Sequence, residues 1–524
     1  MQNPSAPPPV LRPSAPTAVP LADIAAHLGV DAREVFDGVS VRGVTLATAD
    51  LRPGELFVAV RGVHRHGAEF AADAIAQGAV AVVTDAAGAA LLADARVPVL
   101  VVENPRAILG DLSALVYGTG ADAALPPLLA VTGTNGKTSV THLMEGMLHG
   151  LGVVTGLSST AERHIAGEVI PSRLTTPEAS EMHALIGLMR ERDVQAILVE
   201  VSAQALTRHR VDGLHFDVAG FTNLSHDHLD DYRDMTEYLA AKAALFTPAR
   251  ARRAVICVDQ PAGIRIAATT GIPATTVLTP AIAEDPTVAA DWRVEITSET
   301  PEGTTFTLSG PAGALTTTVP VIGPHMASNA GVAIVMLLEA GWEWAALTGL
   351  IDGRRIDARL PGRIERLSGE RGPALYLDFG HSPDAFAKTL DAVRRVTPGR
   401  VIMVCGANGD RDTTKRADMG AVAALGSDIL VITDQHPRSE DPELIRRALI
   451  DGALAAKPDA VIREVTPPEE AIATAVSLAG DGDAILWAGP GHQHYREIQG
   501  VRTPFDAAGA ARDALRRSGW PIPG

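Results

Sequence analysis

The sequence is poor in cysteine, lysine and aromatic residues, and it lacks any long apolar run. Two cysteines in 524 residues, Cys257 and Cys405, allow neither a disulfide framework nor a cysteine-type metal cluster. No stretch approaches the ~18 uninterrupted apolar residues of a membrane span. The N-terminus has no charged start followed by an apolar run, so no secretory signal is expected. Together these absences lead us to expect a cytoplasmic protein with no membrane partner. Positive charge is short as well: 45 Lys and Arg stand against 62 Asp and Glu, a formal net charge of −17. Such a balance argues against nucleic-acid binding by broad phosphate neutralisation, yet leaves room for a small anion at a local site.

Lysine is the scarcest of the basic residues, with five positions: Lys137, Lys242, Lys388, Lys415 and Lys457. Arg replaces a solvated Lys at little cost. It cannot replace one that must lose its proton or act as a point charge on phosphate. Each remaining lysine is therefore informative, although Lys388 and Lys457 read as surface residues.

What is present is the composition of a globular protein, 46% hydrophobic and 20% charged, long enough for two to four domains. Seven prolines in the first 20 residues read as a flexible tail. From residue 21 to 121 short apolar strands such as Glu55–Val60 and Ala79–Val83 alternate with Ala-rich helical stretches, a small α/β domain. A second block, 122–359, follows an Ala/Pro link, with strands at Leu128–Val131, Ala196–Val199 and Ala254–Val258. Thr-rich hairpin patterning between Trp292 and Val321 suggests an antiparallel edge. A third block, 360–524, is again doubly wound, with strands at Ala374–Asp378, Val401–Cys405, Ile429–Thr433 and Ala484–Trp487.

Chemistry concentrates at Gly133-Thr-Asn-Gly-Lys-Thr138, between a strand and a helix. The eight-residue phosphate-loop pattern fails because residue 131 is Val, but the shorter G-x-x-G-K-T form fits. Its glycines let backbone N–H groups face phosphate oxygens at a helix N-terminus. Lys137 supplies a charge between phosphates and Thr138 a hydroxyl for Mg²⁺. Glu200 follows the strand Ala196–Val199, where a carboxylate lies at the crevice of an open sheet. Phe221-Thr-Asn-Leu-Ser-His-Asp-His-Leu-Asp230 is dense in metal-competent groups. Lys242 sits inside an apolar helix. An ordinary lysine, with a pKa near 10.4, is about 0.1% neutral at pH 7.4, and burial can free the amine to take up CO₂ as a carbamate.

These motifs resemble the Mur ligases. The third block resembles the type that adds the third amino acid to the cell-wall peptide stem. The residues carrying that likeness are Leu360-Pro-Gly-Arg363, Asp378-Phe-Gly-His-Ser-Pro383, Gly409-Asp-Arg-Asp412, Lys415-Arg416, Met419-Gly420 and Pro437-Arg-Ser-Glu-Asp-Pro442. The resemblance runs in order from about residue 21 to the end. It implies an α/β, three-domain architecture with a central P-loop ATPase-type parallel sheet and a C-terminal Rossmann-like domain. It further implies an ATP-dependent ligase that acts through an acyl phosphate in peptidoglycan synthesis.

The site residues it implies are specific. ATP would be held by Gly133, Thr134, Asn135, Gly136, Lys137, Thr138 and Ser139, with Asn329, Arg363 and Asp378 at the adenosine end. Two Mg²⁺ would be held by Thr138, Glu200, His228 and Lys242, the last as N6-carboxylysine, with Lys137, His228 and Lys242 catalytic. Thr48 would face the UDP of UDP-MurNAc-L-Ala-D-Glu, and Thr175, Thr176, Ser202 and Arg210 its muramoyl dipeptide. Arg411, His436, Arg438, Gly489 and Gln493 would receive the amino acid. A monomer with small-molecule partners is expected. A folylpolyglutamate synthase, or an ATP-binding regulator with the same fold and no catalysis, is the alternative.

Departures from the family pattern cluster. Diaminopimelate-adding enzymes read Asp-Asn-Pro-Arg where this chain has Gln435-His-Pro-Arg438, and Gly-Lys-Gly-His-Glu where it has Gly489-Pro-Gly-His-Gln493. Two carboxylates suited to a distal ammonium are gone. A hydrogen bond to a charged group contributes roughly 1.5–3 kcal/mol. The third residue is therefore expected not to be meso-diaminopimelate, or to be read differently. Lysine, ornithine, diaminobutyrate and homoserine stay open. Ala47-Thr-Ala49 in place of Asp-Ser-Arg, Ala203-Gln204 in place of Ser-His, and Met326 in place of Asn are milder changes.

Overall fold

The computed structural model describes residues 10–30, 38–225 and 231–522. Its frame is a mixed sheet of eleven strands whose middle is parallel. In spatial order the parallel strands are Thr155–Ser158, Ala196–Glu200, Leu128–Thr132, Phe216–Phe221, Ala251–Cys257, Ala274–Leu278 and Trp292–Thr300. Every residue of Leu128–Thr132 and of Ala196–Glu200 is buried, as a strand covered on both faces requires. Antiparallel strands finish both edges: Glu162–Ile165 and Glu168–Pro171 on one side, Gly303–Gly310 and Gly313–Val319 on the other. The expected Thr-rich hairpin is the second of these.

Two smaller sheets flank it. Val44–Thr45, Leu56–Ala59, Ala81–Thr84 and Val99–Val101 form a four-stranded parallel sheet covered by helix Leu109–Tyr117. After residue 360 comes a six-stranded sheet, Glu365–Arg366, Ala374–Asp378, Ala484–Ala488, Val401–Cys405, Ile429–Ile432 and Ile462–Glu464, parallel except for its first strand. One apolar cluster runs from the central helices into this last unit, joining Val140, Met144 and Ile334 to Phe386, Leu390 and Val393.

The Pro-rich segment differs from expectation over its second half. Val19–Pro20 pairs with Ser40–Val41. Arg12 is buried with its Nε 3.1 Å from Glu55 Oε1, and Ser14 N donates to Glu191 at 2.8 Å. Proline composition discourages a helix, but it does not prevent a strap laid along a groove when buried partners await its few polar groups.

A charged knot fastens helix Lys137–Gly150 to the antiparallel strand Glu162–Ile165. His164 Nδ1 lies 2.8 Å from Glu145 and its Nε2 3.1 Å from Glu162. Burial alone would pull His164 down, but bonds to the two carboxylates outweigh it and hold the imidazole up at about 9. Its neighbour His142, with no such bonds to carboxylate, is pushed down to about 4 by burial. A group raised in the folded state stabilises fully below its unfolded pKa, near 6.5, and loses that contribution as pH rises through about 9. Thermal unfolding followed between pH 6.5 and 9.5 should show a falling midpoint, and His164→Gln should lower the midpoint at pH 6.5 and flatten the slope.

Candidate active site

Strand register builds the site. Leu128–Thr132 lies between Ala196–Glu200 and Phe216–Phe221, with Glu200 paired to Val131 and Phe221 to Thr132. Three chain segments therefore leave the sheet side by side: Gly133–Thr138, the Glu200 turn and Thr222–Ser225. The loop closes on its neighbour through Thr222 Oγ1 donating to Asn135 O (2.6 Å) and Asn135 N donating to Asn223 Oδ1 (3.0 Å). Gly133 and Gly136 hold φ of 148° and 88°, and a Cβ on Gly136 would stand 2.5 Å from Asn329 Oδ1. Lys137 Nζ donates to the carbonyls of Gly133 and Thr134, both at 2.9 Å.

A cleft of about 1460 Å³ opens here and runs to the C-terminal unit. Thr134 to Ser139, Thr160, Thr175, Glu200, Ser202, Arg210, Asn329, Arg363 and Asp378 line one end; Arg411, Lys415, Arg438 and Gln493 line the other. Among its described lining residues are ten Lys or Arg and three Asp or Glu, the reverse of the whole chain's balance. Such a cleft focuses positive potential on anionic ligands.

Glu200 is fully buried. Its Oε1 accepts from Thr160 N at 3.0 Å and its Oε2 from the Thr160 hydroxyl at 2.7 Å. Sequence reasoning missed Thr160, although a Ser-Ser-Thr run leaving the parallel strand next to Glu200 was the available signal. Arg363 Nη2 donates to Thr138 Oγ1 at 2.9 Å, and its guanidinium lies over the Phe379 ring. Burial lowers the Arg363 pKa, against the opposing pull of Asp378 and Glu200. Asp378 is raised by burial, and Arg363 and the amides of Gly380 and Ile364 hold it back. Arg363 thus stands at the Thr138 end of the phosphate loop. Asn135 Nδ2 crosses to Asp384 Oδ2 of the C-terminal unit at 3.1 Å, and Lys388 bonds the same oxygen at 2.9 Å.

Several expected residues also make contacts within the protein. Thr176 is buried, donates to Glu200 O and accepts from Ser202 N, so it shapes the turn. Ser202 Oγ accepts from Ala205 N, capping helix Ala203–Thr207. Arg210 pairs with Glu178 at 2.9 Å. Thr48 lies outside the cleft lining, on a turn whose Asp50 accepts both terminal nitrogens of the cleft residue Arg173. Lys242 is buried on helix Met235–Ala243, with its Nζ 4.4 Å from the Tyr238 ring centroid. His228 falls outside the described residues. Lys388 and Lys457, expected at the surface, are both partly exposed: the first lines the cleft, and the second donates to the carbonyls of Ala424 and Ser427.

At the far end, His436 Nε2 lies 2.7 Å from Gln493 Oε1, and its Nδ1 accepts from Glu497 N at 3.1 Å. Burial lowers the His436 pKa. Arg438 has a left-handed φ of 52° and donates to Gly409 O at 3.0 Å. Gly489, at φ 120°, leaves room for the Gln435 carboxamide, which a Cβ there would meet at 2.8 Å.

Three family models match this chain in order: Mur ligase family, catalytic domain, over residues 40–117; Mur ligase middle domain over 131–337; and Mur ligase, glutamate ligase domain, over 362–491. A UDP-N-acetylmuramyl-tripeptide synthetase of Leifsonia xyli is 54% identical over 98% of this chain and 99% of its own. The chain belongs to the Mur ligase family. A UDP-N-acetylmuramoyl-L-alanyl-D-glutamate--2,6-diaminopimelate ligase of Streptomyces coelicolor is 40% identical over 97% of this chain and 98% of its own. A solved ligase of that same 2,6-diaminopimelate type superposes with a TM-score of 0.65 at 25% identity, covering 96% of this chain and all of the other. The fold extends to the folylpolyglutamate synthase of Mycobacterium tuberculosis, with a TM-score of 0.57 at 20% identity over 74% of this chain and 90% of the other.

The loop's dependence on glycine is testable. Gly136→Ala combines a left-handed φ with a clash against Asn329, and should weaken binding of a non-hydrolysable ATP analogue at least tenfold in calorimetry.

Proposed function

We propose that this chain adds the third residue, a diamino acid, to UDP-MurNAc-L-Ala-D-Glu in peptidoglycan-precursor synthesis, with ATP cleaved to ADP and phosphate. The observation that carries this reading is the single positive cleft that joins the phosphate loop and Glu200 to the arginines of the C-terminal unit. In the division of labour that fits, residues 21–121 hold the uridine end near Thr48, 122–359 hold ATP and the dipeptide, and 360–524 receive the amino acid. A monomer in the cytoplasm with small-molecule partners completes this reading; no helix of the described residues is long and apolar enough to cross a membrane.

A carboxylate is a poor electrophile, so the γ-phosphoryl group of ATP is first transferred to the D-Glu side-chain carboxylate. The amine of the incoming residue then attacks the acyl phosphate, and phosphate leaves. Two anions must meet in the first step. Lys137 and the amides at the start of helix Lys137–Gly150 carry positive potential to the phosphates, and Arg363 adds a cation at Thr138. Closure of the cleft by the C-terminal unit keeps water from the acyl phosphate. The Asn135–Asp384 and Arg363–Thr138 bonds join the loop to that unit.

The donors suit Mg²⁺. Thr138 and Glu200 offer hard oxygens in one cleft, and the charge they attract is evident in Arg363, which bonds the first and feels the second. When bound, the ion supplies further neutralisation of phosphate charge. Lys242 would join this set as N6-carboxylysine, and His228 would complete it.

Phosphate release should require ATP, the UDP-dipeptide and an amino acid together, and its absence under every combination would leave the non-catalytic regulator standing. Glu200→Gln should cut kcat at least a hundredfold while moving the unfolding midpoint by only a few degrees. Protein equilibrated with ¹³C-bicarbonate should give one carbamate carbon resonance, missing from Lys242→Arg.

A further inference from the structure

The strap at the start of the chain is seated on one unit and reaches into another. Leu11 packs against an apolar cluster of the central unit, and a Cβ on Gly187 would stand 3.1 Å from Pro13. Ser14 bonds Glu191, at the end of helix Ala179–Glu191, through both its amide and its hydroxyl. Between these anchors Arg12 turns the other way, into the N-terminal unit. Its Nε lies 3.1 Å from Glu55 Oε1, and its Nη1 donates to Asp50 O at 2.5 Å. Both members of the Arg12–Glu55 pair are buried. Burial raises the Glu55 pKa, and Arg12 is the strongest pull against that shift.

Burying a guanidinium is costly even when it is paired, and an apolar side chain would fill the same groove without that cost. The contacts beyond Arg12 give the charge a purpose. Asp50 ends the turn Thr48–Asp50, and its carboxylate accepts from Nη1 and Nη2 of Arg173 at 2.9 and 3.2 Å. Arg173 belongs to the segment 171–175, at the end of the edge strand Glu168–Pro171, and every residue of that segment lines the cleft. The segment closes on Thr175, whose Oγ1 is 3.0 Å from Thr160 Oγ1, and Thr160 in turn holds Glu200. A line of contacts therefore runs from the strap, through the turn that carries Thr48, to the carboxylate beside the phosphate loop.

We propose that Arg12 is a positioning residue that fixes the span between the Thr48 turn, which meets the nucleotide end of the UDP-linked substrate, and the cleft wall beside its reacting carboxylate. The inference rests on the ligase reading above and gives the strap, which lies outside the described cleft lining, a part in the reaction. Units joined by a flexible link shift against one another unless an interface fixes them. A substrate held at both ends reacts fast only when the span between its two holds matches its own length. Helix Leu109–Tyr117 against helix Ala179–Glu191 supplies the contact area between the units. Arg12 adds a rigid fork with two acceptors, a geometry that a lysine ammonium does not reproduce.

The test uses the full chain with ATP, Mg²⁺ and whichever of meso-diaminopimelate, L-lysine, L-ornithine, L-diaminobutyrate and L-homoserine turns over fastest. Arg12→Ala should lower kcat/KM for UDP-MurNAc-L-Ala-D-Glu at least tenfold. The inhibition constant of UDP alone and the affinity for a non-hydrolysable ATP analogue should stay within twofold, because each is held by one unit. Arg12→Lys should recover only part of the loss. Should Arg12→Ala fail to fold, Glu191→Ala frees the strap from its other end at an exposed position, and should lower the same kcat/KM about threefold with both affinities kept. An undiminished kcat/KM in folded Arg12→Ala, or in Glu191→Ala when the first does not fold, overturns the inference and leaves the ligase reading intact. A parallel loss of UDP or ATP-analogue affinity does the same, since it marks general loosening. No turnover of the unaltered chain with any of the five amino acids overturns both.

Discussion

The constraint on which the site depends is the parallel pairing of Leu128–Thr132 between two neighbours whose ends fall level with its own. Parallel strands deliver their C-terminal ends to one edge, and there the sheet gathers a glycine loop, a carboxylate and an Asn/Ser turn from segments some 90 residues apart. A one-residue slip would turn Glu200 to the other face and bury its charge against apolar helices. The complete burial of both strands is what forbids that slip. Catalytic geometry here is a by-product of core packing.

Charge is arranged on the same logic. The chain is acidic overall, yet ten of its cations line the cleft and its acids lie mostly elsewhere. Some of those cations are locked. Arg210 is paired to Glu178, and Arg416 bonds both oxygens of Glu440. Others, such as Arg363, sit among aromatic and acidic groups that hold a buried guanidinium in place. A net charge therefore says little about a site, whereas the partners of each cation say much.

How far the sequence could be read depends on the range of the interaction. Gly133–Thr138 and the strand before it were readable because loop, charge and helix start are adjacent in the chain. Glu200 was readable from its place at a strand end, and the three α/β blocks from alternation of strands and helices. Thr160 was not, because its importance comes from the neighbouring strand. The inward turn of Thr176, the reach of Arg363 to Thr138 and the pairing of Arg173 with Asp50 are likewise long-range. The strap at Arg12 and Ser14 was misread because composition reports intrinsic preference and not the groove that receives the chain. Gln435, His436 and Gln493 were noticed as departures. That His436 bonds Gln493 while Gln435 stands beside an orphaned Thr433 needed three dimensions.

The apolar cluster shared by the central and C-terminal units has a mechanical consequence. Separating the two units would wet apolar side chains of that cluster, at about 25 cal/mol for each Å² exposed. Gly323, just before helix Pro324–Glu339, lies so close to helix Pro383–Arg395 that a Cβ there would stand 2.9 Å from Ala392 Cβ, so the two units are fitted by shape as well as by burial.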